Sequence, residues 1–174
     1  APQFDGVSRP FTEHKNNYES FFRTEPTITH TISLSGGNAN NDYRLSVSDL
    51  RNTDIIPNSN FTRTSVNTKT HSKFGKLDVD LVLNYIYENS HNRPYIGGNH
   101  DNQFYSLLYL PSNIDVKTLS PGYDSTGREV VYAESLSNPY YIINKEKETD
   151  SRNRLIGSIT LKYQILKFLY ARGR

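Results

Sequence analysis

The clearest pattern along the chain is an alternation of apolar and polar residues with a period of two, which is typical of β-strands. It is strongest at 77–88, where Leu, Val and finally Tyr85 and Tyr87 fill every second position, with Asp78 and Asp80 between them. The same alternation predicts further strands at about 27–35, 42–51, 61–74, 152–163 and 168–174. We therefore expect an all-β chain of six antiparallel, up-and-down strands.

The predicted connections alternate in length. Short ones at 36–41, 75–76 and 164–167 alternate with longer ones at 52–60 and 89–151. The longest is rich in Asn, Ser, Pro and Gly, and its apolar run at 104–110 predicts a short helix that ends at Pro111. Residues 1–24 show no regular period. The expected organisation is a loop segment at 1–24, followed at 25–174 by the strands and the long loop at 89–151.

Composition narrows the classes that remain. Aromatic residues make up 12% of the 174 positions, thirteen of them Tyr, which is too many for a wholly disordered chain. No run approaches the ~18 apolar residues of a membrane helix. Membrane-spanning β-strands remain possible, because their alternating apolar and polar residues give no long apolar run in the sequence.

Charge and cysteine content exclude several partners and chemistries. The chain has twenty Lys and Arg and eighteen Asp and Glu, which gives a net charge of +2. So small a net charge does not favour a nucleic-acid partner. Without cysteine there is neither a disulfide framework nor a thiolate nucleophile. Because the chain starts with Ala1 rather than Met, it is either a mature product or an excerpt of a longer protein, and we expect the excerpt.

Strands of this kind can form either the wall of a membrane barrel or a soluble β-domain. The runs at 61–74 and 77–88 exceed the usual length of about five or six residues. Unequal connections and the terminal Tyr85 and Tyr87 are typical of outer-membrane barrels with aromatic girdles. His30 and Asp49 on the apolar side, together with several Thr, favour the barrel less. The period alone leaves both architectures open.

An ordered set of motifs resembles the region after the plug in SusC/RagA-type TonB-dependent outer-membrane transporters. The resemblance spans roughly residues 4–174. Its motifs are FFRT at 21–24, ISLSGGN at 32–38, YRLSVS at 43–48, DIIPNS at 54–59, Arg63 with Asn67, KLDV at 76–79, RLIGSITLKY at 154–163 and FLYARGR at 168–174.

This resemblance implies a barrel of about 22 strands in the Gram-negative outer membrane, with an N-terminal plug. It also implies import of oligosaccharides or peptides with a SusD-like surface lipoprotein and energy from TonB. The remaining partners would be the rest of the barrel and plug, and outer-membrane lipid. Neither a TonB box nor a plug is recognisable in this chain. No enzymatic activity and no cofactor are expected.

Charged residues give little sign of catalysis. Asp78, Asp80 and Glu88 share one face of the fourth strand, where carboxylates can act as acid and base or bind a cation. The simpler expectation is a solvated wall paired with Arg63 or Lys69. The stretch 124–129 faintly resembles a calcium loop and is expected to be a simple turn. The five histidines lack metal-ligand spacing.

The long loop carries the candidate contacts with a ligand or partner, since it mixes aromatic rings with hydrogen-bonding groups. These residues are Arg93, Tyr95, Asn99, His100, Asp101, Tyr105 and Tyr109. Their alternative role is packing of the loop on itself. The alternative for the whole chain is a self-contained soluble β-rich glycan-binding or adhesion domain, with two packed sheets that bury the Leu77 to Tyr87 stripe.

Overall fold

The computed structural model describes residues 1–174, which contain one open sheet of six antiparallel strands. The strands are β1 (Thr27–Gly37), β2 (Asn41–Thr53), β3 (Asn60–Phe74), β4 (Leu77–His91), β5 (Thr149–Leu166) and β6 (Leu169–Gly173). Their order in the sheet equals their order in the sequence. The predicted all-β class and the six strands are confirmed, and the predicted bounds differ from the observed ones by at most three residues.

Two of the short connections are shorter than the sequence predicts. Gly36 and Gly37 belong to β1 and do not interrupt it. At Gly36 a Cβ would come within 2.9 Å of the Tyr43 hydroxyl, so glycine here makes room for that ring. The turn itself follows, where the Asn38 side chain accepts hydrogen bonds from the backbone nitrogens of Asn40 and Asn41. Likewise, β5 continues to Leu166 before it turns.

The three hairpins of the sheet are not level with one another. The Lys73 nitrogen donates to the Asn40 carbonyl, so β3 pairs with the end of the first hairpin. The Gln164 nitrogen donates to the carbonyl of Lys76, a residue of the second hairpin's turn. Because β5 continues to Leu166 before the chain turns into β6, β5 extends beyond the turn of the second hairpin. The strands are therefore staggered, as in sheets with tilted strands.

The chain separates into two compact units. The sheet unit consists of Thr27–Arg51, Thr62–Asn89 and Asp150–Arg174, and the loop unit of Ala1–Pro26, Asn52–Phe61 and Ser90–Thr149. The loop unit holds a hydrophobic core, whose buried members are Phe21, Ile56, Leu107, Ile114, Val116, Leu119 and Ile143. The long loop is thus more ordered than its composition indicates, since its residues share one core with residues from the other two segments of the loop unit.

The loop unit contains four short helical segments. Helix α1 is Gln103–Leu108, which confirms the helix predicted at 104–110, and α2 is Pro139–Lys145, which the sequence analysis missed. Two 3-10 turns lie at Glu19–Phe21 and Val116–Leu119. None of these helices has the length and apolar character needed to cross a membrane.

Candidate functional site

Contacts between neighbouring strands show which side chains share a face of the sheet. Thr31 and Ser48 are joined by a 2.9 Å hydrogen bond between their hydroxyls, and Arg63 lies 2.8 Å from Glu88. Further pairs on this face are Ser33 with Ser46, His71 with Asp80, and Lys162 with Tyr170. We call this side of the sheet unit the polar face. The other side, which carries the alternating Leu, Val, Ile and Tyr, is the apolar face.

The apolar face is exposed on β1, β2 and β5 and from Leu83 onward on β4, and it is half-buried at the start of β4 and along most of β3. Leu83, near the middle of β4, keeps 38% of its surface exposed, and Leu155 on β5 keeps 71%. Others at least as exposed as Leu83 on β1, β2 and β5 are Ile28, Ile32, Leu34, Leu45, Val47, Ile159 and Leu161. Every buried hydrophobic side chain of the chain belongs to the loop unit. The sheet unit therefore has no hydrophobic core of its own.

Aromatic residues mark both ends of the apolar face. At one end Tyr85 donates a 2.7 Å hydrogen bond to the Asn153 side chain, and Tyr87 follows it on β4. At the hairpin end lie Tyr43 near the start of β2, Phe74 at the end of β3 and Tyr163 near the end of β5. Only the first of these two bands was predicted from the sequence.

The polar face carries most of the sheet unit's charge. The predicted partnership of Arg63 with the β4 carboxylates is confirmed, because its guanidinium lies 2.8 Å from Glu88. Asp80 is paired with His71 instead, at 2.8 Å from Nδ1, and not with Lys69. These carboxylates are held by partners on the adjacent strand, which is how a charged surface wall is arranged.

Two predicted contact residues, Arg93 and Tyr95, line a small cavity of about 60 Å³ in the loop unit. Gln103, Glu146 and Glu148 also line it. The negative charge of Glu148 raises the pKa of Tyr95, and burial adds to the shift. The cavity is large enough for one or two water molecules and is lined by charged groups of both signs.

The other residues that line this cavity were not predicted from the sequence, and Gln103 and Glu146 are the most informative of them. Gln103 is almost fully buried, and its side-chain oxygen has no hydrogen-bond donor within the protein. Glu146 lies among the alternating charges of 145–148, yet burial raises the pKa of its carboxyl, with further contributions from Asp101 and Glu129. Lys145, Lys147 and Glu148 are exposed, whereas Glu146 is half-buried. A clue in the sequence was the Asn102 that caps α1 and so fixes Gln103 in its first turn.

The predicted contact residues Asn99, His100 and Asp101 form a structured turn. The Asn99 side chain accepts a hydrogen bond from the Asp101 nitrogen at 3.0 Å. The Ser137 hydroxyl lies 2.6 Å from His100 Nδ1 and 3.4 Å from the Asp101 carboxylate. The same Nδ1 faces Asp101 at 3.7 Å. A catalytic relay needs histidine to bridge serine and acid through its two different nitrogens, so this cluster is a structural contact.

Tyr105 and Tyr109 lie together, with ring centroids 4.8 Å apart. Tyr105 borders an open cleft of about 290 Å³, together with Tyr18, Phe104 and Leu108. Leu108 and Tyr109 are exposed by more than half. The seven predicted contact residues are thus divided among a charged cavity, a structured turn and an aromatic cleft, and do not form one site.

The stretch at 124–129 is a turn, as expected. Asp124 Oδ1 accepts hydrogen bonds from the backbone nitrogens of Thr126 and Arg128 and from the Thr126 hydroxyl. These bonds lower the pKa of the Asp124 carboxyl, the Thr126 hydroxyl most strongly. No group of three or more His, Cys, Asp or Glu side chains in the chain is arranged to hold a metal ion.

A scan of this sequence against protein-family models finds no match, and a search among curated proteins finds none either. The function of the chain is therefore inferred from the two faces of its sheet unit and from its loop unit.

Proposed function

We propose that this chain is part of a SusC/RagA-type TonB-dependent outer-membrane transporter. It would supply about six strands of a barrel of about 22. The whole transporter would import oligosaccharides or peptides together with a SusD-like lipoprotein. In this proposal the apolar face contacts lipid, the polar face lines the lumen, and the long loop at 89–151 is extracellular.

The observation that carries the proposal is the exposed apolar face. From β1 to β5 it carries no Lys, Arg, Asp or Glu between its two aromatic bands. The charged residues Asp49 and Arg51 lie at one end of the face, where they pair at 3.0 Å. A Lys or Arg at the middle of a bilayer costs about 2–4 kcal/mol, so lipid contact demands this pattern. In water the same face would be a large exposed apolar patch, which soluble monomers avoid.

The height of the apolar face agrees with a bilayer. Asn153, the partner of Tyr85, and Tyr163 lie on β5 at ten residue steps from each other. At ~3.3 Å per residue this is about 33 Å along the strand. A tilt of ~40° reduces it to about 25 Å, the height of the apolar band of outer-membrane barrels. The stagger of the three hairpins supports such a tilt.

The loop unit suits contact with the lid lipoprotein or the substrate, because it is compact and carries the aromatic cleft beside Tyr105. The plug and the TonB contact would come from other parts of the transporter. The open backbone edges of β1 and β6 would pair with other strands of the barrel, since unpaired edges invite association.

The alternative, a soluble glycan-binding or adhesion domain, predicts a second sheet over the Leu77 to Tyr87 stripe. The chain has one sheet, and Leu83 and Tyr85 on that stripe are exposed. His30 and the several Thr on the apolar side of β3 are the features that favour the transporter less.

Tryptophan quenching tests the proposal, because the chain has no Trp of its own. Leu83 and Val82 are neighbours with nearly equal exposure, 38% and 41%, on opposite faces of β4. In the chain folded into vesicles with brominated acyl chains, we expect strong quenching of Leu83→Trp fluorescence and weak quenching of Val82→Trp. Equal quenching would refute the lipid-facing assignment. So would a monomeric chain that unfolds cooperatively in detergent-free buffer.

A further inference from the structure

Charge is distributed unequally between the two units. The sheet unit contains twelve Lys and Arg against six Asp and Glu, a net charge of +6. The loop unit contains eight against twelve, a net charge of −4. The overall charge of +2 hides this separation. Most charged residues of the sheet unit's strands lie on the polar face, so this face attracts anions.

On the polar face cations lie opposite each other at two places, Lys162 with Arg172 on β5 and β6, and a second pair on β2 and β3. The Asp49–Thr64 hydrogen bond and the Asn40–Lys73 backbone bond fix the register of β2 against β3 on either side. Five residues along each strand from the Asp49–Thr64 bond, Arg44 lies opposite Lys69. Four residues along each strand from the Asn40–Lys73 bond, the same two residues meet. Like charges opposite each other on adjacent strands destabilise a sheet, and no carboxylate pairs with either residue.

Side chains that can bind sugar hydroxyls lie next to this pair. Arg44, Asn67 and Lys69 line a depression of about 100 Å³. The Arg63–Glu88 and His71–Asp80 pairs fix β3 against β4 and bring Asn84 opposite Asn67. Asn84 Oδ1 is buried without a hydrogen-bond donor. Arg154 lies on the same face of the adjacent β5. We call Arg44, Asn67, Lys69, Asn84 and Arg154 the cationic patch.

We propose that the cationic patch binds acidic oligosaccharides, with carboxylate groups of the sugar between Arg44 and Lys69. This inference rests on the proposed transport function and narrows its substrate class. A carboxylate relieves the repulsion between the two cations through charge-assisted hydrogen bonds. It cannot donate to Asn84 Oδ1, whereas a sugar hydroxyl near the carboxylate can. The Ser and Asn side chains around the patch suit further hydroxyl groups.

Calorimetric titration of the whole chain, folded in detergent micelles that cover the apolar face, tests this proposal. The ligands are tetragalacturonate, neutral maltotetraose and tetraglutamate. We expect tetragalacturonate to bind at least about tenfold more tightly than the other two, and its affinity to fall with added salt. Equal or tighter binding of either comparison ligand would overturn the proposal, and so would no binding at all.

Two variants with the same change of charge locate the site. Lys69→Gln removes a cation of the patch, and Lys167→Gln removes an exposed one in the turn between β5 and β6. The first should weaken tetragalacturonate binding about tenfold and the second should leave it unchanged. Equal losses would mean diffuse attraction and overturn the patch. Tryptophan quenching at Leu83 reports on the opposite face, so failure of the sugar assignment and failure of the transporter proposal remain distinguishable.

Discussion

Asn138 connects three parts of the loop unit through one buried side chain. Its Nδ2 donates to the carbonyls of Leu119 and Val130 at 3.1 and 2.9 Å, and its Oδ1 accepts from the Tyr140 nitrogen at 3.0 Å. The residue is fully buried and is the N-cap of α2. Its replacement by alanine removes all three hydrogen bonds at once.

The size of the effect follows from the groups left behind. Asn138→Ala leaves the carbonyls of Leu119 and Val130 without this donor, at a cost of about 1–3 kcal/mol each. Loss of the helix cap adds about 1 kcal/mol. The lower value for each carbonyl together with the lost cap gives a destabilisation of about 3 kcal/mol. This destabilisation is smaller only where water reaches the freed carbonyls. An opening free energy lowered by about 3 kcal/mol corresponds to about a hundredfold faster amide exchange.

Hydrogen exchange followed by mass spectrometry measures this opening in the folded chain. Peptides that cover 116–145 should exchange about a hundredfold faster in Asn138→Ala, while strand peptides of the sheet unit serve as an internal reference. Asn16→Ala is the matched control, because Asn16 is exposed and its side chain makes no hydrogen bond in the structure. If both variants exchange alike over 116–145, the assigned role of the Asn138 hydrogen bonds is wrong.

Two further predictions concern the loop unit. Gly122 and Gly127 both have positive φ, +89° and +85°, but an added Cβ at Gly122 would overlap the Tyr141 backbone nitrogen, while at Gly127 it would meet nothing closer than 3.7 Å. Gly127→Ala should cost about 1–2 kcal/mol and Gly122→Ala about 1–3 kcal/mol more, seen as faster limited proteolysis; equal rates would refute the steric argument. Burial raises the pKa of Tyr132 to about 12, so the folded state favours its neutral form. The stability of the loop unit should fall as pH rises from about 10 towards 12, and Tyr132→Phe should remove that part of the loss. Tyrosinate absorbance follows the ionisation and hydrogen exchange follows the stability. If Tyr132→Phe leaves the pH dependence of stability unchanged, the assignment to Tyr132 is wrong.

Strands were predictable because their signal is local. Alternation at 77–88 assigns each side chain of β4 to one face, and the observed contacts of Arg63 with Glu88 and of His71 with Asp80 agree with that assignment. The glycines at 36–37 were misread as a strand end. The decisive fact there, the Tyr43 ring over Gly36, is a contact between neighbouring strands.

Helix α2 was missed although its start is encoded locally. Asn138 caps the helix and Pro139 occupies its first turn, a recognised combination at helix starts. With only seven residues, the helix shows no clear hydrophobic period. Its apolar residues Ile142 and Ile143 are buried. The sequence does not indicate this burial, because it does not show which residues pack against them.

The sequence by itself determined six strands and two chemically different faces, because alternate side chains of a strand necessarily point to opposite sides. Only the tertiary structure decided the loop unit, whose core combines Phe21, Ile56 and Val116 from separate segments. It also decided which cations meet, since the repulsion between Arg44 and Lys69 depends on strand register. Local alternation fixes the direction of each side chain, whereas packing and register fix its neighbours.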